Sequence, residues 1–148
     1  PDADRSLAQG AEQVYWISTV LELPCGTGKI TILPGEKGST GNESSLCILF
    51  QAENCDILIT GDRNQDGEAY LLEQMNLPQL DVLIVGHHGA DSSTGFPLLE
   101  KTHPVTAVIS VGADNPYGHP QSQVLQRLEL FGCRVLRTDQ NGTIVLRG

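Results

Sequence analysis

Positive charge is scarce in this chain: nine Lys and Arg stand against 18 Asp and Glu in 148 residues, a net charge of -9. Nucleic-acid affinity comes largely from basic side chains that release counterions from phosphates, so the composition argues against a broad phosphate-binding surface. Bound metal would lessen that objection, because two divalent ions add about four positive charges where a phosphodiester would lie. Long apolar runs are also missing. No stretch approaches the roughly 18 apolar residues of a membrane span, and the chain as given reads as soluble. Cysteine pairs at Cys-x-x-Cys spacing are absent. Cys25, Cys47, Cys55 and Cys133 lie in or beside apolar runs, which predicts buried free thiols rather than zinc ligands. Cys47 and Cys55 facing one another across a hairpin is the alternative that would allow a disulfide. No signal peptide is visible, and the chain begins at Pro1 without Met, so we expect it to be cut from something longer.

What is present fits one folded domain, with 39% apolar and 18% charged residues. Residues 3–12 have helical composition, 14–23 alternate as a strand, and Cys-Gly-Thr-Gly at 25–28 turns into a hairpin partner at 29–33. A Gly-, Ser- and Asn-rich loop at 34–43 opens onto strands near 45–51 and 55–60. Strand and helix then alternate: helices near 66–76, 94–102 and 121–130, and strands at 81–85 and 105–111. Val124, Leu125, Leu128 and Phe131 share one helical face. Strands near 133–137 and 143–147, joined by Gln-Asn-Gly, complete a mixed α/β layer. Cys-Gly-Thr-Gly-Lys at 25–29 is no phosphate-binding loop, because Lys29 opens a strand and Ile30 replaces the required hydroxyl residue.

Three polar words end apolar runs: Ile-Thr-Gly-Asp at 59–62, Gly-His-His-Gly at 86–89 and Tyr-Gly-His-Pro at 117–120. In an α/β sheet, strand ends are where distant parts of the sequence converge, so the three words can share one site. Asp62 can bridge metal ions, or cap the helix that follows. His87 and His88 point in opposite directions if extended, so that one ligates metal and the other carries a proton or donates to substrate. The alternative is that His87 packs in the core and His88 caps the next helix. The hydroxyl-rich Asp-Ser-Ser-Thr follows at 91–94. His119 stands at another strand-to-helix junction, with Pro120 suited to a first helical turn. His103, without Gly neighbours, reads as surface.

Taken together, Asn-Glu-Ser-Ser-Leu-Cys-Ile-Leu-Phe at 42–50, Leu-Ile-Thr-Gly-Asp at 58–62, Val-Gly-His-His-Gly at 85–89, Val-Ile-Ser-Val-Gly at 108–112, Asn-Pro-Tyr-Gly-His-Pro at 115–120 and Arg-Thr-Asp-Gln-Asn-Gly at 137–142 resemble the metallo-β-lactamase-like domain of the ComEC family of DNA-uptake (competence) proteins. The resemblance covers about residues 11–146 and implies an αββα sandwich. It implies a metal-dependent hydrolase, proposed to be a nuclease, that accompanies a bacterial membrane channel admitting single-stranded DNA. Asp62 matches the bridging carboxylate, His119 the late metal-ligand histidine, and His87 and His88 the paired histidines beside the site. On this reading Asp62, His87 and His119 are metal ligands for zinc or manganese and His88 is catalytic. Asn42, Ser92, Ser93 and Asn115 contact substrate; Asn42 and Ser45 match an Asn-x-x-Ser word, and Ala90 departs from the family's usual Ser.

The superfamily's His-x-His-x-Asp-His word, which supplies most metal ligands, is absent from the chain. Pro-Asp-Ala-Asp-Arg at 1–5 is either a worn remnant of it or, as we prefer, the mark of a truncation. Residues 1–148 are then the C-terminal portion of the domain, a mixed sheet with helices on one face. Its other face would be exposed, favouring a homodimer. The expected partners are single- or double-stranded DNA and the channel part of the parent, and the alternative function is a non-catalytic interaction domain whose metal site has decayed.

Overall fold

The computed structural model describes residues 14, 15 and 17–146. The helix expected at 3–12 lies outside them. Seven strands form one sheet in sequence order: β1 (Leu21–Cys25), β2 (Gly28–Leu33), β3 (Cys47–Ala52), β4 (Cys55–Ile59), β5 (Val82–Ile84), β6 (Thr106–Ile109) and β7 (Arg134–Arg137). β1 to β4 pair antiparallel, and β4 to β7 pair parallel. Parallel neighbours need crossovers, supplied by α1 (Gln65–Gln74), α2 (Phe96–Thr102) and α3 (Ser122–Leu130). Because each crossover steps one strand in the same direction, the right-handed rule puts all three helices on one face.

The register confirms this. Thr31, Leu49, Leu58, Leu83, Ala107 and Val135 stand side by side across six strands. On that face Leu49, Leu58, Leu83 and Ala107 join Leu71 of α1, Leu98 and Leu99 of α2, and Val124 and Leu128 of α3 in one core cluster, against which Leu125 and Phe131 pack. Burying each such Leu stabilises the fold by about 1.5–3 kcal/mol. The opposite face carries a row running Leu21, Ile32, Ile48, Ile59, Ile84, Val108, Leu136. A second row runs Leu23, Ile30, Phe50, Ile57, Val82. None of these twelve residues belongs to the core cluster; Leu23 and Ile59 are exposed, Val82 and Val108 are buried, and the others are half-buried.

Several expectations need correction. The strand expected from residue 14 begins only at Leu21, because the register Leu21↔Ile32 would set the preceding residues against Pro34, which has no N–H to donate. No strand forms over 143–146. Instead Asn141 Oδ1 accepts from the Arg137 N–H and the Thr138 carbonyl from the Gly142 N–H, closing the single helical turn α4 (Thr138–Asn141). Cys55 pairs with Ala52 at the hairpin end, so it does not face Cys47, and all four thiols are free. Cys47 is buried, donates to the Thr60 carbonyl and is pushed up to about 12 by burial. Cys25, at the tip of the edge hairpin, is exposed rather than buried, and Cys55 and Cys133 are half-buried.

Candidate active site at the carboxyl ends of the parallel strands

Each polar word follows one of three adjacent parallel strands. Asp62 follows β4, His87 and His88 follow β5, and His119 closes the loop after β6. Gly61, at φ +60°, turns the chain so that the Asp62 N–H donates to Ser45 Oγ at 3.3 Å. The Gly61 carbonyl in turn accepts from the His87 N–H at 2.9 Å. The Asp62 carboxylate has no hydrogen bond among the described residues.

Gly-His-His-Gly is not extended. His87 and His88 are left-handed, at φ 47° and 57°, within a 3-10 turn at Gly86–Gly89. Two consecutive side-chain-bearing residues there store of order 1–3 kcal/mol each, strain that characterises functional sites. Opposed imidazoles are thereby replaced by neighbours, with ring centroids 6.4 Å apart. Gly86 is needed because a Cβ would stand 2.8 Å from Thr60 Oγ1, and Gly89 because one would stand 2.6 Å from Pro120 Cβ. The close approach of Gly89 to Pro120, with the Gln121 N–H donating to the Gly89 carbonyl, brings His119 alongside His87 at 5.7 Å.

Hydrogen bonds set the chemistry of each ring. His88 Nδ1 lies 2.7 Å from the Ser110 carbonyl, which can only accept, so Nδ1 carries a proton and neutral His88 presents a bare Nε2. His87 Nδ1 lies 3.2 Å from the Asn42 amide nitrogen; accepting there, neutral His87 carries its proton on Nε2. His119 Nδ1 is buried with no partner among the described residues. Burial, then the neighbouring His87 and His88, holds His119 below the usual imidazole range and therefore neutral. A cavity of about 330 Å³ opens beside them, lined by His88, Ser110, Gly112, Tyr117, His119 and Thr138 among others.

The other site residues divide. Asn42 touches His87. Asn115 braces the loop: its amide nitrogen donates to the Gly112 and His119 carbonyls, and its oxygen accepts from the His119 N–H. Ser93 is fully buried and donates to the Gly86 and Ala90 carbonyls. Ser92 is exposed, and its carbonyl accepts from the Gln65 N–H. His103 is exposed at the end of α2, its ring beside Phe131. Among the described residues, no three His, Cys, Asp or Glu side chains are grouped to hold a metal ion.

Three charged residues were illegible in the sequence: Arg63 stands in the turn before α1, and Glu68 and Arg127 lie on helices whose charged positions ordinarily face water. Arg63 is fully buried and donates to the Ser45, Gly67 and Leu33 carbonyls, tying the 41–45 segment to the Asp62 turn. Glu68 is buried and accepts from the Thr94 and Gly95 N–H groups; burial pushes its carboxyl up to about 7. Arg127 donates to the Asp91, Ser93 and Thr94 carbonyls and pairs with the Asp91 carboxylate at 3.0 Å. Together Glu68 and Arg127 clamp the 91–95 loop that follows the paired histidines. The only sequence signal was the position of Arg63, directly after Gly-Asp.

No family model matches the chain. It is 43% identical over 106 residues to ComE operon protein 3 of Bacillus subtilis strain 168, a match covering 72% of this chain and 14% of that protein. It is 34% identical over 114 residues to Competence protein ComA of Neisseria gonorrhoeae, covering 75% of the chain and 16% of that protein. Recombination protein 2 of Haemophilus influenzae is 35% identical over 103 residues, 70% of the chain and 13% of that protein. The chain thus spans a small part of the length of these relatives, and no described helix is long and apolar enough to cross a membrane. The chain belongs to a family of competence and DNA-uptake proteins.

Proposed function

We propose that the chain is the C-terminal portion of a metallo-β-lactamase-like αββα domain within a membrane-bound competence protein, and that the intact domain hydrolyses phosphodiesters of incoming DNA. One observation carries the reading: the Asp62 turn, the His87 and His88 pair and His119 converge beyond the carboxyl ends of β4, β5 and β6, where α/β sheets bind ligands. The apolar rows on the face opposite α1, α2 and α3 support the sandwich, since such a face is suited to pack on a second layer about 10 Å away.

The described residues do not by themselves fit a metal ion. A zinc or manganese ion would need ligands from the parent in addition to Asp62 and His119, because the Asn42 bond leaves His87 with its proton on Nε2 and no bare nitrogen for a metal, contrary to the ligand role expected of it. What this chain supplies is proton transfer and charge stabilisation. His88 Nε2 is the bare nitrogen that takes a proton from the attacking water, held in that tautomer by Ser110. His87 Nε2–H, held by Asn42, donates to a phosphoryl oxygen.

Phosphodiesterase activity of the longer protein, measured with Mn²⁺ or Zn²⁺, tests this. Activity that falls about a hundredfold or more in His88→Ala agrees with it; an inactive longer protein, or an unaffected variant, refutes it. A second reading is a non-catalytic interaction domain, since among the described residues no three His, Cys, Asp or Glu side chains are grouped; it predicts near-stoichiometric channel association without activity.

A further inference from the structure

Tyr117 is 74% exposed beside the histidines, with its ring nearly parallel to that of His119, at 20° and a centroid distance of 5.8 Å. An aromatic ring left in water at the rim of a cavity is a surface that a second flat ring can cover. Gly112 lines the same cavity, and a Cβ built there would meet nothing within 4 Å. Its φ lies outside the left-handed region, so the backbone does not call for glycine. The missing side chain keeps the cavity open. At about 330 Å³ it is near the lower end of ligand sites, the size for one small ring system and far too small for a duplex.

We infer that Tyr117 is a stacking platform for a single nucleobase, which enters the cavity beside Gly112 from an unpaired strand. This deepens the phosphodiester reading and rests on it. Bases inside a duplex have their faces covered, so the platform selects single-stranded substrate. With a net charge of -9, the chain has little to offer the backbone phosphates, and stacking supplies the affinity instead. A shallow salt dependence is the consequence, where backbone binding would give a steep one.

The test uses the full chain and a short single-stranded DNA containing 2-aminopurine, followed by fluorescence quenching, with an abasic strand of equal length as the comparison. Quenching by the unmodified chain is expected to weaken about tenfold in Tyr117→Ala, survive in Tyr117→Trp and disappear in Gly112→Leu, with circular dichroism unchanged in all three. Equal affinity for the abasic strand, or an unchanged Tyr117→Ala, overturns the platform and leaves the phosphodiester reading standing. Binding of neither strand overturns both.

Discussion

The Gly89 backbone is pressed against Pro120, with only 2.6 Å between the proline Cβ and the place a glycine Cβ would occupy. That contact joins the turn after β5 to the loop after β6, and the Gln121 N–H to Gly89 carbonyl bond of 2.9 Å completes the joint. The approach of His87 to His119 depends on it, so the glycine is part of the site although it carries no chemistry.

Gly89→Ala therefore meets both a left-handed φ of +83° and a backbone-proline clash. A loss of at least 1–3 kcal/mol follows from the strain alone. Gly112→Ala, in open space, should stay within about 0.5 kcal/mol of the parent. Urea midpoints for the two variants check this, and equal midpoints would contradict it.

Arg63 tests a different kind of support. Its guanidinium is enclosed and satisfied by three backbone carbonyls, two of them flanking the 34–45 loop. Arg63→Ala leaves those carbonyls without a donor and should cost about 3 kcal/mol or more, a large part of the stability of an ordinary domain. Arg63→Lys, with one nitrogen for three acceptors, should recover less than half. Thermal melts would show the ranking Arg, Lys, Ala; a wild-type melting temperature in Arg63→Ala would sink the assignment.

These charges mark the limit of what the sequence disclosed. Strand and helix alternation from β2 to α3 was legible because Ile57 to Ile59, Val82 to Ile84 and Val108 to Ile109 are apolar runs between Gly- and Pro-bearing loops. The placing of Asp62 and of His87 and His88 beyond the ends of β4 and β5 was legible because each follows such a run, whereas the approach of His119 to His87 rests on the Gly89–Pro120 contact, which no run announces. Arg63, Glu68 and Arg127 were not, since burial of a charge depends on which carbonyls and N–H groups the tertiary fold brings to it. Nor was the left-handed pair His87 and His88 readable, because non-glycine residues reach that conformation only when the surrounding fold holds them there.

Glu68 gives a pH dependence with a definite sign. Its folded value of about 7 lies above the ordinary 4.5, so its contribution is fully present below pH 4.5 and is lost as pH rises through about 7. The full span is on the order of 3 kcal/mol. Stability of the parent should thus fall more steeply between pH 5 and 8 than that of Glu68→Gln, whose amide oxygen still accepts from the 94–95 N–H groups. Parallel pH profiles for the two proteins would contradict the shift.

The apolar rows on the face opposite α1, α2 and α3 make the sharpest contrast available in this fold. Ile48 and Leu49 are consecutive in β3 and point to opposite faces, Leu49 into the core cluster and Ile48 into a half-buried apolar row outside that cluster. Six strand spacings of about 4.8 Å make that face roughly 29 Å wide, enough to seat a second sheet. The expected complement is the same face of another copy, since an apolar surface with a two-fold axis through it matches itself. Light scattering should therefore show a dimer that binds a hydrophobic dye weakly, and Ile48→Asp should give a folded monomer. Leu49→Asp places a charge in the core and should unfold the chain outright. If Ile48→Asp unfolds it as well, that face is already covered within the chain, and both the dimer and the open layer are excluded together.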